Sequence, residues 1–271
     1  MITRLQRDGA AAASGATVGS GIRFQLVGCP ATHHQTNGEK RDRNDGSHGA
    51  PPVRTADTAG RKIRKKFPRM SMRTLVVRRP GINPDGRPNM RLVATEYLSL
   101  DGYFHEPGQW SRPFFCEEAG QFKWAELQAS DALLLGRKTY EGFAQAWPGM
   151  REQTGAFGAK MNDMPKYVVS STLTEATWSG SQLIRKDAID EIRKLKERPG
   201  NDLLLAGSGQ LFNALLRANL IDRYRFMVHP IVLGKGARLF EEGLGDKALK
   251  CVETKSFRLG IVVAEYEPLS G

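Results

Sequence analysis

Two places in this chain join an apolar run, a glycine turn and a polar cluster in immediate succession. In "DALLLGRKTY", Gly136 is followed by Arg137, Lys138 and Thr139. In "NDLLLAGSGQLF", an apolar run leads into Gly207, Ser208, Gly209, Gln210 and Leu211. A third run, "KYVVSS", ends on Ser170 and Ser171. Read as strands that feed helices, the first two offer free backbone N–H groups at the positive end of a helix dipole, which suits phosphate. Arg137 and Lys138 add formal charge there. Thr139 adds a hydroxyl that can cap its helix or reach an oxygen. The glycines at 207 and 209 let backbone approach a ligand closely.

Each turn taken alone is also ordinary loop chemistry. Together, three strand ends bearing a basic pair, two serines and a GSG turn suit a ligand with separated phosphates. NADP, with its pyrophosphate and 2′-phosphate, is such a ligand. Ligands of open α/β sheets bind beyond the carboxyl ends of the strands, where these turns would lie. Other chemistries find less support. "GSGQLF" fails as a dinucleotide fingerprint because Phe212 stands where a third glycine belongs, and no GxxxxGK[ST] loop is present. No His/Cys/carboxylate spacing suggests a metal site, and no GxSxG nucleophile motif appears.

The elements that must carry these turns alternate from Met90 onward. "RLVATEYLSL" reads as a strand ending in the turn Asp101-Gly102, and "DALLLG" as a short buried strand with the helix "RKTYEGFAQAW" directly after it. "KYVVSSTL" and "SQLIRK" read as strands. "PFFCEEAGQFKWAELQAS" places Phe115, Ala119, Phe122 and Ala125 at helical spacing. "DAIDEIRKLKERPG" predicts a helix capped by Asp187, with Ile189, Ile192 and Leu195 as its stripe and Pro199-Gly200 as its stop. "DRYRFMVHPIVLG", "LKCVETKSFRLG" and "IVVAEYEP" then follow as strands without a long helix between them. Alternating strand and helix followed by consecutive strands implies a mainly parallel sheet finished by antiparallel strands.

The chain has 271 residues and a net charge of +11, and the excess is local. Residues 1–89 hold 17 basic and 6 acidic residues, whereas 90–271 hold 23 of each. The first 89 residues are low in large apolar side chains, so they read as a disordered basic tail, or as an over-extended start ahead of Met90. The run Arg61–Arg69 could tether nucleic acid or an anionic surface; a solvated tail is the plainer expectation. No run reaches the roughly 18 apolar residues of a membrane span, and no secretory signal is evident. Three cysteines, Cys29, Cys116 and Cys251, show no CxxC spacing. They disfavour a disulfide framework, lead to an expectation of buried thiols at 116 and 251, and suit a reducing cytoplasm.

Over most of 90–271 the sequence resembles the dihydrofolate reductase-like superfamily, and more closely the reductase domain at the C-terminal end of the riboflavin-biosynthesis deaminase-reductases. "SLDGYF", "DALLLGRKTYEGF", "YVVSSTL", "LLLAGSGQLFNALL" and "VHPIVLGKGARLF" carry the likeness. The resemblance implies an NADPH-dependent oxidoreductase that delivers hydride to a pyrimidine- or pterin-like substrate, similar to 5-amino-6-(5-phosphoribosylamino)uracil reductase. It implies that Arg137, Ser170 and Ser171 hold the 2′-phosphate end. Gly136, Lys138, Thr139 and the segment Gly207–Leu211, with Ser208, Gly209 and Gln210, would surround the pyrophosphate. Asp101, at the end of the first strand, is the candidate proton source or electrostatic partner; a turn-forming Asp before Gly is the alternative. Tyr103, Trp110, Glu117, Glu118, His229 and Lys235 are candidates for substrate contact. Glu96 is mid-strand, and alternation alone does not decide which face it uses. The substrate carboxylate of dihydrofolate reductases falls, by spacing back from Gly136, near Gly120, which argues against folate reduction. No deaminase zinc signature occurs in 1–89. A homodimer is allowed by the C-terminal strands and suggested by the family. The rival reading is a non-catalytic nucleotide-binding module with a nucleic-acid-tethering tail.

Overall fold

The computed structural model describes residues 81–83 and 86–269. The basic run Arg61–Arg69, Cys29 and nearly all of the expected tail lie outside the described residues. The stretch just before Met90 is tied to the body of the fold. Asn89 bridges Pro199, and the Gly200 N–H donates to the Pro88 carbonyl.

The described chain runs β1 (Arg91–Ser99), α1 (Pro107–Trp110), a 3-10 turn (Arg112–Phe114), α2 (Glu117–Gln128), β2 (Ser130–Gly136), α3 (Arg137–Met150) and α4 (Ala156–Asp163). It continues through β3 (Lys166–Val169), β4 (Ser181–Ile184), α5 (Ala188–Lys196), β5 (Asp202–Ala206), α6 (Gly209–Arg217), β6 (Arg223–His229), β7 (Leu249–Ser256) and β8 (Val262–Pro268). The strands form one sheet in the order β4-β3-β2-β5-β1-β6-β8-β7. Pairing is parallel throughout except at β8, which runs antiparallel to both β6 and β7. No described helix is long and apolar enough to cross a membrane.

Period-two alternation explains why the central strands are apolar on both faces. Leu92, Ala94 and Leu98 of β1, Leu134 of β2, Leu203 and Leu205 of β5 and Phe226 of β6 join one core, which α5 and α6 cover with Ile192, Leu195, Leu211, Phe212 and Leu215. Val93, Leu133, Leu135 and Leu204 point the other way, into a second core with Tyr140, Trp147 and Met161 of α3 and α4. Truncating one fully buried leucine such as Leu205 to alanine costs about 2–5 kcal/mol at such sites. A smaller third cluster, with Cys116, Ala119, Met227, Ile261 and Val263, packs the start of α2 onto the C-terminal strands.

Three expectations need correction. The Phe115/Ala119/Phe122/Ala125 row marks the buried side of α2 only in part: Ala119 is buried and Phe115 and Phe122 pack against the third cluster. Phe115 precedes the helix, Ala125 is exposed, and the residues turned inward are Ala119, Glu126 and Leu127 with Lys123 beside them. Asp187 does stand at the N-cap of α5, but in the left-handed region (φ 50) and with no side-chain cap bond; only its carbonyl receives helix N–H groups. Cys116 is buried as expected, whereas Cys251, on the edge strand, is exposed.

Candidate active site

The register puts the carboxyl ends of four adjacent strands on one level. Gly136 pairs with Val169 across β2 and β3, and Leu134 pairs with Leu205 across β2 and β5, so Gly136 stands level with Gly207. Thr95 pairs with Ala206 across β1 and β5, which sets Glu96 level with Gly207 as well. A crevice floor thus forms from Ser170, Gly136, Gly207 and the β1 backbone at Glu96, with α3 and α6 starting directly above it.

Ser208 locks the two glycine turns together. Its Oγ accepts the Gly136 N–H at 2.8 Å and lies 2.9 Å from Thr139 Oγ1. The lock leaves no room for side chains at either glycine. A Cβ on Gly136 would stand 2.6 Å from Ser208 Oγ, and one on Gly207 would stand 2.9 Å from Thr139 Oγ1. Gly207 also has φ 65, which favours glycine. Thr139 therefore does not cap its own helix. Neither α3 nor α6 has a side-chain cap, so the first-turn N–H groups of two neighbouring helices remain free for an anion. Arg137 and Lys138 are exposed on the first turn of α3, and Gln210 is exposed on that of α6, whereas Leu211 is buried. Ser170 is buried, and its Oγ accepts the N–H groups of Thr172 and Leu173, leaving its own O–H to donate; Ser171 is exposed. The Phe104 ring lies over Gly209, where a Cβ would come 2.3 Å from its Cζ.

The loop after β1 is held against the loop after β6, and Asp101 is the clasp. Its carboxylate accepts the Ser99 hydroxyl at 2.7 Å and the N–H groups of Leu233 at 3.1 Å and Gly234 at 2.7 Å. The Ser99 hydroxyl first, and then those N–H groups, hold its pKa down to about 2. Asp101 is therefore an ionised acceptor at neutral pH; of the two roles expected of it, the electrostatic partner fits this state and the proton source does not. Tyr103 bridges Arg238, whose guanidinium lies 5.4 Å from the ring centre. Lys235 is exposed in the loop that Asp101 secures.

Trp110 and His229 meet, but as packing partners. The Trp110 ring stands edge-on to His229 at 5.2 Å, with Tyr97 at 5.1 Å and Phe114 at 6.2 Å completing an aromatic nest. The indole N–H donates to the His105 carbonyl at 2.9 Å. His229 is fully enclosed, with Nδ1 2.9 Å from the Met227 carbonyl; burial lowers its pKa and leaves it neutral. Direct substrate contact through His229 is not what this geometry offers. Glu117 and Glu118 open α2 as expected; Glu117 lies on the surface, whereas Glu118 is half-buried with its Oε2 enclosed. Glu117 is exposed and accepts from Gln121, and Glu118 sits 3.9 Å from Arg258.

The sequence reading passed over the buried charges beneath α2. Lys123 pairs with Glu126 and donates to Thr95 Oγ1 at 3.1 Å, and Arg225 stands 3.5 Å from Glu126 and 3.3 Å from Glu265. Glu96, 3 % exposed, has no hydrogen-bond partner for Oε1. Burial first, with a further push from Glu126 against a pull from Lys123, raises its pKa to about 8. At neutral pH it is a carboxylic acid, the protonation state that Asp101 lacks. Two open hollows lie away from these strand ends. One, of about 470 Å³, is lined by Arg151, Asp163 and Trp178 among others. The other, of about 440 Å³, is lined by Phe240, Leu244 and Lys247 among others.

Comparison with known proteins places the same residues in one family. The sequence model described as the RibD C-terminal domain matches residues 91–263. The uncharacterized protein YyaP of Bacillus subtilis (strain 168) is 31% identical over 179 residues, covering 65% of this chain and 94% of that protein. The uncharacterized protein YwjB of the same organism is 29% identical over 164 residues, covering 59% of this chain and 88% of that protein. Among solved structures, a protein from Shewanella sp. PV-4 provisionally assigned to riboflavin biosynthesis shares the fold. It has 22% identity and a TM-score of 0.54, covering 66% of this chain and 99% of that one.

Proposed function

This chain belongs to the RibD C-terminal domain family, and from that membership we propose that it is an NADPH-dependent reductase. Its eight-stranded mixed sheet with flanking helices is a dihydrofolate reductase-like fold, a reductase-type scaffold. Fold alone does not assign a reaction, so the reading rests on the site. The observation that carries it is the pair of uncapped helix N-termini, α3 and α6, joined at their starts by Ser208.

The residues fit the anionic parts of a dinucleotide. Free N–H groups of two helices converge with an exposed arginine and lysine beside them, and charge-assisted bonds from arginine to phosphate are among the stronger polar contacts. In this reading Lys138, Thr139 and the turn Gly207–Leu211 hold the pyrophosphate. Arg137, with Ser170 and Ser171, holds the 2′-phosphate and favours NADPH over NADH. Phe104 covers Gly209, so a bound dinucleotide would meet this ring at the start of α6. The cofactor supplies hydride; the protein binds, orients and supplies a proton. The substrate class proposed is a pyrimidine- or pterin-like ring system with a C=N-type centre, as for 5-amino-6-(5-phosphoribosylamino)uracil reductase. Asp101 contributes by fixing the loop from Leu233 to Lys235 at the rim. We also propose a homodimer built on the C-terminal edge of the sheet.

Calorimetric and thermal-shift titrations of the full chain test the reading. NADPH should bind and raise the unfolding temperature more than NADH does at equal concentration. Absence of binding by both dinucleotides would remove the reductase proposal.

A further inference from the structure

We infer that Lys123 of α2 selects the substrate of the proposed reduction by presenting a hydrogen-bond donor to an acceptor edge of its ring. The inference rests on the reductase reading above and deepens it by naming the chemistry that the substrate must carry. It starts from the side of the crevice that is open at β1. On the α6 side the end of β1 is filled. Leu98 joins the cluster that holds Leu211 and Phe212, Phe104 packs against it, and the Phe104 ring lies over Gly209. A substrate that meets a dinucleotide at β1 therefore approaches from the α2 side.

Pairing with β6 runs without a shift from Val93 to Ser99, so Thr95 and Tyr97 share the face of Val93, whose cluster is covered by α2, α3 and α4. Thr95 pairs with Ala206, the residue before Gly207, and so stands at the level of the crevice floor. Tyr97 lies two residues on, about 7 Å further along the same face. Lys123 reaches this strip from α2. Its Nζ donates to Thr95 Oγ1 at 3.1 Å and lies 5.6 Å from the centre of the Tyr97 ring. An ammonium has three N–H donors, and the described residues take two of them, Thr95 and Glu126. The Lys123 side chain keeps 16% of its surface exposed, whereas that of Glu126 keeps 1%. Arg225 stands 3.5 Å from the other Glu126 oxygen. The acceptor of the pair is thus sealed beneath the helix, and the donor is left at the opening.

That asymmetry sets what can bind. A ring edge of carbonyl oxygens accepts from Lys123. A ring edge of N–H or amino groups meets an ammonium that cannot accept, and its own donors go unpaired. A site built around one polar partner rejects the analogue that lacks the complement far more strongly than an apolar pocket rejects a change of shape. Between the ring systems proposed above, Lys123 favours one that turns oxygens toward α2, a 2,4-dione, over one that turns amino groups there. Lys123 is a recognition residue, and no step of hydride or proton transfer is routed through it.

Two pteridines of one shape separate the cases. Pteridine-2,4-dione carries oxygens where 2,4-diaminopteridine carries amino groups. Fluorescence titration of each into the full-length protein saturated with NADP+ reads the selectivity directly. Wild type should bind the dione about 10-fold or more tightly than the diamine, the worth of one hydrogen bond to a charged group. Lys123→Met should abolish that preference by weakening the dione, with the diamine unchanged or tighter, and Lys123→Arg should keep it. Affinity for NADP+ should stay the same in both variants; a merely structural role would not lose the preference while keeping that affinity. An equal or reversed preference in wild type, or no binding of either pteridine to the NADP+-loaded chain, overturns the role of Lys123 and leaves the reductase reading standing. Failure of both NADP+ and NADPH to bind overturns both. If Lys123→Met does not fold, Lys123→Gln carries the test, since its amide accepts as well as donates. A preference undiminished in Lys123→Gln overturns the assignment.

Discussion

Arg137 stands on the first turn of α3 with its guanidinium 3.2 Å from Glu141, both side chains 45% exposed. Such an i,i+4 surface pair is worth only about 0.3–0.5 kcal/mol, so the guanidinium is free to turn toward a phosphate. Charged hydrogen bonds contribute roughly 1.5–3 kcal/mol each. Arg137→Ala should therefore weaken NADPH by roughly 10- to 100-fold and NADH only slightly, with titration calorimetry as the readout. Equal losses for both dinucleotides would remove Arg137 from the 2′-phosphate. Glu96 makes a different prediction at the same scale. Its folded pKa of about 8 lies above the ordinary glutamate value of 4.5, so the folded state holds a proton that the unfolded state releases. Stability from this group is complete below about pH 4.5 and is lost as pH rises toward 8. Denaturant melts of E96Q should lack that decline and exceed wild type by a few kcal/mol at alkaline pH. Parallel curves for the two proteins would show that Glu96 ionises normally.

At the scale of elements, the Ser208 hydroxyl hydrogen-bonds the end of β2 to the start of α6. Ser208→Ala leaves the Gly136 N–H without its acceptor in a half-buried position. A loss of roughly 1–3 kcal/mol follows, seen as a fall in Tm of roughly 3–10 °C for a domain of this size. A Tm unchanged by the substitution would mean that the two turns hold their places independently. The turns themselves were legible in the sequence because each joins an apolar run, glycine and an amphipathic stretch, three signals that agree. The lock was not legible, since Ser208 and Thr139 are 69 residues apart and only strand order brings them together. α2 was misread for a related reason. Lys123 and Glu126 face the sheet and Ala125 faces water, so the apolar row in the sequence marks the buried side only as far as Phe122. Glu96 escaped because β1 is buried on both faces, and a fully buried strand offers no polar side from which to deduce orientation. Asp101 was placed correctly at the strand end, but its three hydrogen bonds come from Ser99 and from a loop about 130 residues away.

At the scale of the whole molecule, the sheet closes at one margin on β7, whose residues Lys250–Ser256 are all exposed. Edge strands usually carry charges or irregularities that discourage a further strand, and β7 has both, with Lys250, Glu253 and Lys255 along it and a register shift between Cys251 and Glu253. Those charges alternate in sign. Antiparallel pairing with a second copy about Thr254 would set Glu253 opposite Lys255 of the other chain, so the same features that repel strangers suit a self-complementary edge. The proposed homodimer should appear in sedimentation velocity as a concentration-dependent dimer. Glu253→Lys, which turns the edge into a row of like charges, should leave a folded monomer, since the Lys255 contact it removes is an exposed pair of little worth. Cys251 gives an independent readout. Maleimide labelling mapped by peptide mass should be slow at Cys251 in concentrated wild type and fast in the E253K monomer, with Cys116 unlabelled in both because it is buried. A wild-type chain that sediments as a monomer at every concentration, with Cys251 labelled at the same rate throughout, would overturn the dimer and leave the β7 charges as protection alone.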